Sequence, residues 1–562
     1  MAIELSNITF TNHDDIVPSS GVEQILNTGV ANALAGNDRI TGTGSNYDDY
    51  GFKNVGALNT DDGNDTITGI AGPNNPFLPS GFGIVNSGTF NTGRGDDVII
   101  GSEGLHGIVN SGIFNTGEGN DIITTNASQG AGLNNTGTFN TGEGNDIITV
   151  GDNGIITSDR FNTGEGDDVI TGKSYGNGIV NSGTFNTAEG NDIINFTAGF
   201  NGLDNYGTLN TAEGNDIINF TAQFNGVNNY GTLNTGEGND IITATMTSQY
   251  YESAMYNSGS IDTSDGNDII SGIGGVLGIF NDGIINSGNG EDSIISQGML
   301  INYGGVFLGD GNDLISVDKG LYYNSYYKPV QNYNLIETGD GNDTITSNGV
   351  IYNEGTIDTS DDNDSIISQG NFTNKGNVFL GEGNDSITAD TDLPDRALEN
   401  FNFIGTGDGN DIITSTGIIY NEGVIETGNG DDSIIVDGGI DDITGTTYGI
   451  YNNGGAINMG DGNDSIIANE GFESGPNSSG AYFLGEGEDY IKGYGSGDFY
   501  GGNGKDTLEL TPGSYTVGRW GATVTFSKGS SLMLASEFEQ LIAGAITYDF
   551  SSLTANQTIF AA

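Results

Sequence analysis

The sequence of 562 residues has no cysteine and only 13 lysines and arginines. Without cysteine the chain can form no disulfide, and it offers no thiol nucleophile and no cysteine-based zinc or iron–sulfur site. The shortage of basic residues argues against nucleic acid and against an anionic membrane surface as partners, because both attract clusters of Lys and Arg. No apolar run approaches the roughly 18 residues that a transmembrane helix needs.

Glycine and acidic residues are abundant instead. The chain has 97 glycines and 75 aspartates and glutamates, and its formal net charge is −62. Hydrophobic residues make up 34%, less than the roughly 45–50% of an ordinary globular domain. Like charge on this scale repels itself in a compact state. We therefore expect folding to need either high salt or many bound cations.

A repeated acidic motif dominates the chain. The string Thr-Gly-Glu-Gly-Asn-Asp-Ile-Ile-Thr occurs at 116–124 and again at 141–149, with near copies elsewhere. Successive motif aspartates are separated by 17 to 32 residues. The twenty motif aspartates are Asp38, Asp65, Asp97, Asp121, Asp146, Asp168, Asp192, Asp216, Asp240, Asp268, Asp292, Asp313, Asp343, Asp364, Asp385, Asp411, Asp432, Asp464, Asp489 and Asp506.

Residues at fixed distances from the motif aspartate are the same in nearly every copy. Two residues after it stands Ile in nineteen copies, and two residues before it stands Gly in nineteen, with Asp362 as the exception. Eleven residues before it stands Asn in seventeen copies, from Asn27 to Asn453, and seven before it a large apolar residue is usual. The length varies almost entirely between one motif and the next Asn. A rigid block with one variable loop is typical of a solenoid, whose rungs stack in register while one corner bulges.

The pattern predicts an all-β fold, a parallel β-solenoid (β-roll or β-helix) of about 20 rungs of 17–32 residues. Apolar residues fall in short strands whose side chains alternate in and out, and glycines supply the left-handed backbone of the corners. A disordered Gly-rich polymer is the alternative, but such a chain would not keep an Ile at one place in every repeat. We predict an N-terminal cap over residues 1–26, the repeat array over 27–508 and a small β-rich cap over 509–562.

Stacking in register would place the motif aspartates in one column. Two unit charges about 4.8 Å apart repel by about 1 kcal/mol in water and several-fold more at an effective dielectric of about 20. Something should neutralise such a column, and oxygen ligands without His or Cys favour calcium. We expect multiple Ca²⁺ ions between successive turns, held by carboxylates and by carbonyls of the turn glycines. The alternative is that each Asp only caps a turn, where Asp is common.

The motif resembles the calcium-binding nonapeptide of the RTX (repeats-in-toxin) family, Gly-Gly-x-Gly-x-Asp-x-U-x, where U is a large apolar residue. The match at 116–124 comprises Gly117, Gly119, Asp121 and Ile123. The resemblance implies calcium ligation by the twenty aspartates and by turn glycines such as Gly117, Gly119, Gly142, Gly144, Gly236 and Gly238. On repeat style alone the chain is also similar to oscillin-like calcium-binding surface proteins of gliding filamentous cyanobacteria.

The chain departs from the RTX pattern in three ways. The first glycine of the family motif is another residue here, as at Thr116. The motifs are not contiguous, and only one such turn occurs per rung. The resemblance therefore leaves the number and occupancy of calcium sites open.

Two further columns follow from the alignment. The Asn residues have no metal-ligand spacing, and amides stacked and hydrogen-bonded along the solenoid axis are the favoured interpretation. An acidic residue three before the motif Asp, such as Glu118, occurs in fifteen copies. We interpret it as a solvated outer stripe, with secondary cation binding as the lesser alternative.

The ends of the sequence suggest export. The N-terminal residues show no basic start and no apolar stretch, so no cleavable secretory signal is visible. The last part of the chain, which contains Trp520, resembles the uncleaved C-terminal type I secretion signal that accompanies RTX repeats. The resemblance implies a secreted protein at an extracellular or cell-surface location.

We therefore predict a secreted calcium-binding repeat protein that folds on meeting extracellular calcium and serves a structural, surface-coat or adhesive role. It is expected not to be an enzyme, and its partners are calcium ions and either cell-surface polysaccharide or copies of itself. The alternative is a polysaccharide-acting β-helix enzyme, a lyase or epimerase. That function needs a non-repeating cluster of carboxylates with a basic residue, whereas His13 and His106 are isolated and the Lys and Arg residues are scattered.

Overall fold

A computed structural model describes residues 2–19, 22–46, 49–72, 81–248, 252–318, 328–391, 395–441, 445–475 and 479–562. These residues form β-strands joined by turns, with two short 3₁₀ helices, Leu5–Asn7 and Phe550–Ser552. Within the described ranges no helix is long and apolar enough to span a membrane. The predicted all-β parallel solenoid is confirmed.

The chain divides into two compact units. The first comprises Met1–Asn289 and Ile295–Gly298, and the second comprises Gly290–Ile294 and Met299–Ala562. Both units are built from the same kind of rung, so one description of a rung serves for both.

A typical rung contains three short strands. The Asn strand ends at the column Asn, the third strand precedes the turn, and the motif strand follows the motif Asp. In one rung of the first unit these are Leu203–Asn205, Thr208–Asn210 and Ile217–Ala222. Each strand pairs in parallel with the same strand of the next rung, so that Asn205 lies opposite Asn229. This register stacks identical positions directly on one another.

In the first unit the three sets of strands have the following bounds. The motif strands are Ile16–Val17, Arg39–Thr43, Thr66–Ile70, Val98–Ser102, Ile122–Thr125, Ile147–Val150, Val169–Ser174, Ile193–Ala198, Ile217–Ala222 and Ile241–Met246. The Asn strands are Ala2–Glu4, Gln24–Asn27, Tyr50–Asn54, Phe82–Asn86, His106–Asn110, Leu133–Asn135, Ile155–Thr157, Ile179–Asn181, Leu203–Asn205, Val227–Asn229 and Ser253–Asn257. The third strands are Val30–Asn32, Ala57–Asn59, Thr89–Arg94, Ile113–Glu118, Thr138–Glu143, Arg160–Asn162, Thr184–Asn186, Thr208–Asn210, Thr232–Asn234, Ser260–Asp262 and Ile284–Asn286. Two long strands each continue from a motif strand into an Asn strand: Ile269–Asn281 in the first unit, and Ser293–Asn302, whose residues are divided between the two units.

The second unit repeats this arrangement. Its motif strands are Leu314–Asp318, Thr344–Ser347, Ser365–Ser368, Ser386–Ala389, Ile412–Ser415, Ser433–Val436, Ser465–Ala468, Tyr490–Lys492, Thr507–Leu510 and Gln540–Ala543. Its Asn strands are Val330–Asn332, Ile351–Asn353, Phe372–Asn374, Arg396–Asn400, Ile418–Asn421, Ile450–Asn452 and Phe472–Ser474. Its third strands are Gly305–Phe307, Leu335–Glu337, Thr356–Asp358, Asn377–Phe379, Phe403–Gly405, Val424–Glu426, Ala456–Asn458, Ala481–Phe483 and Gly497–Tyr500. The remaining strands are Gly439–Ile440, Thr447–Tyr448, Glu486–Gly487, Asn503–Gly504, Gly513–Trp520, Thr523–Lys528, Ser531–Ser536, Ile546–Asp549 and Thr558–Ala561.

The core is a set of apolar columns along the inside of each unit. Ile218, two residues after a motif Asp, and Leu209, seven before it, are both completely buried. Full burial of such a side chain contributes about 1.5–3 kcal/mol. Part of the first unit carries a buried phenylalanine column with neighbouring ring centroids 4.3–5.1 Å apart, formed by Phe90, Phe114, Phe139, Phe161 and Phe185.

The Asn column is an axial hydrogen-bond ladder, as predicted. Nδ2 of Asn181 donates to Oδ1 of Asn205, and Nδ2 of Asn205 donates to Oδ1 of Asn229, each at 2.8 Å. Nδ2 of Asn205 also donates to the carbonyl of Thr232 at 2.7 Å. An amide can both donate and accept, so a column of buried amides satisfies itself.

One member of this column differs from the sequence alignment. Asn421 donates to Asn452 at 3.1 Å, and Asn452 ends the Asn strand there. The alignment placed Asn453 in the column, because it assumed a constant eleven residues to the motif Asp. The turn after Asn452 contains one residue more than in the other rungs, which shifts the register by one.

The described end segments continue the stack. Ala2–Glu4 pairs in parallel with Gln24–Asn27, and Gln540–Ala543 pairs in parallel with Thr507–Leu510. Antiparallel strands from residue 513 to 536 follow the last motif. The boundaries predicted at residues 26 and 508 stay predictions.

Glycines of the turn let adjacent rungs approach closely. A Cβ built on Gly142 would lie 1.6 Å from the carbonyl oxygen of Gly117, and Gly142 has φ +114°. We expect Gly142→Ala to lower the free energy of unfolding by about 1–3 kcal/mol, the usual range for overpacking. Gly176→Ala is the matched control, because the nearest atom to its Cβ is Ser174 Oγ at 3.9 Å. Thermal unfolding followed by circular dichroism checks this, and equal midpoints for the two variants would contradict it.

Candidate metal centre: the buried aspartate column

The structure places all twenty motif aspartates at the base of a motif strand with their side chains inside. None is more than 2% exposed. The column in the first unit runs from Asp38 to Asp268, and the column in the second runs from Asp292 to Asp506. Sequence reasoning predicted the column correctly, and the structure adds that it is buried rather than presented to solvent.

One oxygen of each carboxyl group is used in an axial ladder. The backbone N–H of Asp192 donates to Oδ1 of Asp216 at 2.7 Å, and that of Asp216 donates to Oδ1 of Asp240 at 2.8 Å. The same bond, at 2.7–3.0 Å, links successive aspartates through each unit. Because a carboxylate only accepts, the backbone supplies the donor that a neighbouring carboxylate cannot.

The ladder extends beyond the twenty motifs. The N–H of Asp15 donates to Oδ1 of Asp38, and the N–H of Asp506 donates to Oε2 of Glu539, both at 2.8 Å. Sequence reasoning missed these two positions because neither follows a glycine at the usual place. The residues there are His13 and Glu537, and Glu537 adopts the left-handed φ of +65° that glycine normally supplies.

In eighteen of the twenty motif aspartates the second carboxyl oxygen is buried without a hydrogen-bond partner. Such an atom is costly, because it has lost water and gained nothing in exchange. The described aspartates with an orphaned Oδ2 are Asp38, Asp65, Asp97, Asp121, Asp146, Asp168, Asp192, Asp216, Asp240, Asp313, Asp343, Asp364, Asp385, Asp411, Asp432, Asp464, Asp489 and Asp506. A proton or a cation at each of these oxygens would offset the cost of burying it.

Some threonine hydroxyls close to the column donate along the solenoid axis instead of to the carboxyl groups. Thr116, five residues before Asp121, donates its hydroxyl proton to the carbonyl of Thr141 at 2.9 Å. Thr141 in turn donates to the carbonyl of Thr163 at 2.8 Å. These two protons are therefore used along the axis. The hydroxyls of Thr187, Thr235 and Thr338 have no such partner, and, against the larger effect of burial, they lower the pKa of the carboxyl group five residues later.

Burial raises the pKa of most column aspartates well above the ordinary value of 3.8. Loss of solvation is the largest cause. Nearby threonine hydroxyls and the backbone N–H of the preceding aspartate lower the pKa, but not enough to offset burial. The pKa is raised to about 6 for Asp121, Asp192, Asp343 and Asp489, to about 7 for Asp65, Asp97, Asp146, Asp216, Asp385, Asp432 and Asp464, and to about 8 for Asp168, Asp313 and Asp364.

A second ladder runs the other way, one residue before the motif Asp. The N–H of Asn215 donates to Oδ1 of Asn191 in the previous rung at 3.0 Å, and the N–H of Asn239 donates to Oδ1 of Asn215 at 2.9 Å. Sequence reasoning missed this column, although Asn or Asp occupies the position in seventeen of the twenty copies. The two ladders hold each corner to the rung before it and the rung after it.

The six candidate glycines lie in the same turns as the aspartates. All of them have positive φ: Gly117, Gly119, Gly142, Gly144, Gly236 and Gly238. The carbonyl of Gly214 points at the next rung, where a Cβ on Gly238 would lie 1.6 Å from it. The glycines therefore serve close stacking of the turns, a role that sequence reasoning did not assign to them.

The residues of the column are suited to bind a cation, but their carboxylates alone would not complete its coordination shell. The buried Oδ2 atoms without a partner and the raised pKa values both indicate that positive charge would stabilise the column. Among the described residues, however, no group of three or more His, Asp or Glu side chains is placed to hold a metal ion. A cation there would need backbone or hydroxyl oxygens to complete its shell, which is chemistry that Ca²⁺ accepts.

A largely buried arginine lies elsewhere, in the second unit. Nη2 of Arg396 lies 2.8 Å from Oδ2 of Asp441, and Nη1 lies 3.4 Å from Oε1 of Glu399. Its guanidinium carbon is 3.7 Å from the ring centre of Tyr420. Only 13% of the Arg396 side chain is exposed. Arg396 is thus engaged by two carboxylates and a ring, an arrangement that holds the fold together at this point.

Comparisons with known proteins give little beyond the architecture. No family model matches the chain, and no curated protein matches it. Among solved structures it is similar to a hyperactive, Ca²⁺-dependent, β-helical antifreeze protein from an Antarctic bacterium. The identity is 19%, the match covers 68% of this chain and 85% of that one, and the TM-score is 0.26.

The raised pKa values predict how stability depends on pH in calcium-depleted buffer. Burial raises the pKa of Asp216 to about 7 in the folded state, whereas in the unfolded state it lies near the ordinary value of 3.8. The stability is therefore fully present below about pH 4 and is lost as the pH rises through about 6 to 8.

Thermal midpoints measured across this range check the prediction. They should fall with rising pH without calcium, and added calcium should remove the fall at the alkaline end, because metal replaces the proton. Midpoints that rise from pH 4 to pH 8 in calcium-depleted buffer would contradict the raised pKa values.

Proposed function

We propose that this protein is a secreted calcium-binding β-solenoid that folds when it meets extracellular calcium. The observation that carries the proposal is the column of buried carboxyl oxygens that have no hydrogen-bond donor. Calcium would supply the positive charge that these oxygens need, so its binding energy becomes folding energy. The motif aspartates would hold the ions, together with carbonyls of the turn glycines.

Calcium suits the column better than the other neutralising species. A proton neutralises only one carboxylate. Burial raises the pKa of Asp192 to about 6 and that of Asp168 to about 8, so the column loses protons as the pH rises through this range. Mg²⁺ demands near-ideal octahedral geometry and gives up its waters reluctantly, whereas Ca²⁺ takes six to eight oxygens in flexible geometry. The resemblance of the motif to RTX calcium turns supports the choice, and membership of that family stays a prediction.

The proposed role is structural, at an extracellular or cell surface, as a coat component or an adhesin. Calcium binding in the range of about 10⁻⁴–10⁻³ M, typical of extracellular modules, would leave the chain unfolded in a low-calcium cytoplasm and fold it outside. A net charge of −62 favours that switch, because self-repulsion opposes folding until cations bind. The proposal includes no catalytic role, and Arg396 does not argue for one, since carboxylates already engage it.

A calcium titration followed by circular dichroism and small-angle scattering tests the proposal. We expect the calcium-depleted protein at pH 7.5 to have little β-structure and to gain it cooperatively with calcium, while equal magnesium has far less effect. Proton release, measured by calorimetry in buffers of different ionisation enthalpy, should accompany binding. Full β-structure in chelator at pH 7.5 would contradict the proposal.

Substitutions test whether calcium-dependent folding depends on the aspartates of the column. In Asp216→Asn/Asp240→Asn the amide Oδ1 can still accept the backbone N–H, but the orphaned oxygen becomes a neutral NH₂. We expect this double variant to need several-fold more calcium at its folding midpoint. Glu213→Gln/Glu237→Gln is the matched control, because it removes two charges from the same two turns at exposed positions. If both double variants shift the calcium midpoint equally, the effect comes from net charge alone, and the proposed role of the column is contradicted.

A further inference from the structure

A groove of about 600 Å³ opens on the surface of the first unit, between two rows of aromatic side chains. One row is Phe200 and Phe224, whose ring centroids are 5.7 Å apart. In the other row the successive centroid distances are 4.9, 5.5 and 5.6 Å. That second row consists of Tyr206, Tyr230, Tyr256 and Phe280. Both rows follow the stacking direction of the rungs.

The fold does not require these aromatic side chains. Tyr206 and Tyr230 each follow the column Asn, and the equivalent residue in the earlier rungs is Ser or Thr, as in Ser111 and Ser182, except for Val55. Phe200 is 55% exposed, and Tyr206 and Tyr230 are 57% and 45% exposed. Large aromatic side chains that are exposed next to one another form an apolar patch, and such a patch marks a binding surface more often than a structural feature.

The floor of the groove is made of amides. Asn201, Asn225 and Asn228 line it. Nδ2 of Asn201 and Nδ2 of Asn228 both donate to Oδ1 of the buried Asp204, at 3.0 and 2.8 Å. Asp204 thus orients two of the three amides from below, which fixes the polar atoms that the floor presents.

The charge of the groove restricts what can bind. Among the described residues that line it, Glu252 is charged and no Lys or Arg is present. A polyanion would meet Glu252 and a chain of net charge −62, with no basic side chain to receive it. A second copy of this chain would bring the same negative charge, so self-association through the groove is disfavoured as well.

We propose that this groove binds a neutral, linear polysaccharide that lies along the rungs. The apolar faces of sugar rings would pack against the exposed edges of Tyr230 and Phe224, because each of these rings stacks on the ring of the neighbouring rung. Sugar hydroxyls both donate and accept, which matches the amides of Asn201, Asn225 and Asn228. Aromatic side chains beside a few oriented polar groups are common in ligand sites. The groove lies apart from the aspartate column, so the inference holds whether or not the column binds calcium.

Affinity electrophoresis through gels that contain a soluble polysaccharide tests the proposal. The probes are two neutral polymers, hydroxyethyl cellulose and xyloglucan, and two anionic ones, alginate and polygalacturonate. We expect the protein, folded in calcium, to be retarded by a neutral polymer and not by the anionic ones. Phe224→Ala/Tyr230→Ala should weaken the binding at least tenfold.

Tyr303→Ala is the matched control. Tyr303 is 47% exposed and stacks on Tyr333 at 4.6 Å in the second unit, outside the groove. It should leave the retardation unchanged. Circular dichroism of each variant in calcium separates loss of the site from loss of the fold, so failure here is distinguishable from failure of the calcium proposal.

Three results would overturn the inference. The first is no retardation by any neutral polymer while circular dichroism shows a folded protein. The second is retardation that the Phe224/Tyr230 double variant retains, or that anionic polymers produce equally. The third is self-association, seen by sedimentation, that the same double variant abolishes, because the groove would then hold a second copy of the chain.

Discussion

In-register parallel stacking is the constraint on which the rest of this structure depends. Within the repeat array each rung strand pairs in parallel with its counterpart one rung away, so each position of the repeat becomes a column of like residues. Apolar residues such as Ile218 stack on their own kind without difficulty. A buried polar residue has to be complementary to itself, because the neighbours above and below carry the same group. The chemistry of each column therefore decides whether the rung can be repeated.

The Asn and Asp columns show the two outcomes. The amide of Asn205 donates in one direction and accepts in the other, so its column closes on itself. A carboxylate has no donor, and Asp216 is satisfied at Oδ1 only because the backbone N–H of Asp192 reaches it. Its other oxygen is left over, and the same shortfall recurs from rung to rung. A column of this kind is stable only with added positive charge, which is why we connect folding to calcium.

The turn geometry is imposed by the stack rather than by glycine alone. Ala188, Ala212 and Asp362 adopt φ values of +68°, +66° and +88° at places where other rungs have glycine. Such conformations cost of order 1–3 kcal/mol, and the neighbouring rungs hold them in place. Departures from the repeat also distinguish one part of the surface from another. Tyr206 and Tyr230, for example, stand where most of the preceding rungs have Ser or Thr.

The sequence by itself determined the solenoid, the apolar columns and the positions of the Asn and Asp columns, because strict spacing decides which residues stack. It also predicted that the aspartates need neutralising, since like charges one rung apart repel. Spacing does not say which way a side chain turns or which backbone group it meets. Only the tertiary structure could show that Oδ1 of Asp216 is satisfied while Oδ2 is not, or that Asn215 bonds to the previous rung.

The tertiary structure also decided the irregular features. Asp15 and Glu539 join the column without the motif glycine, Asn452 replaces Asn453, and Phe224 faces Tyr230 across the groove. Each depends on how a loop of variable length folds back onto the rung next to it. A repeat pattern specifies what is common to all rungs, whereas these contacts arise from what differs between them.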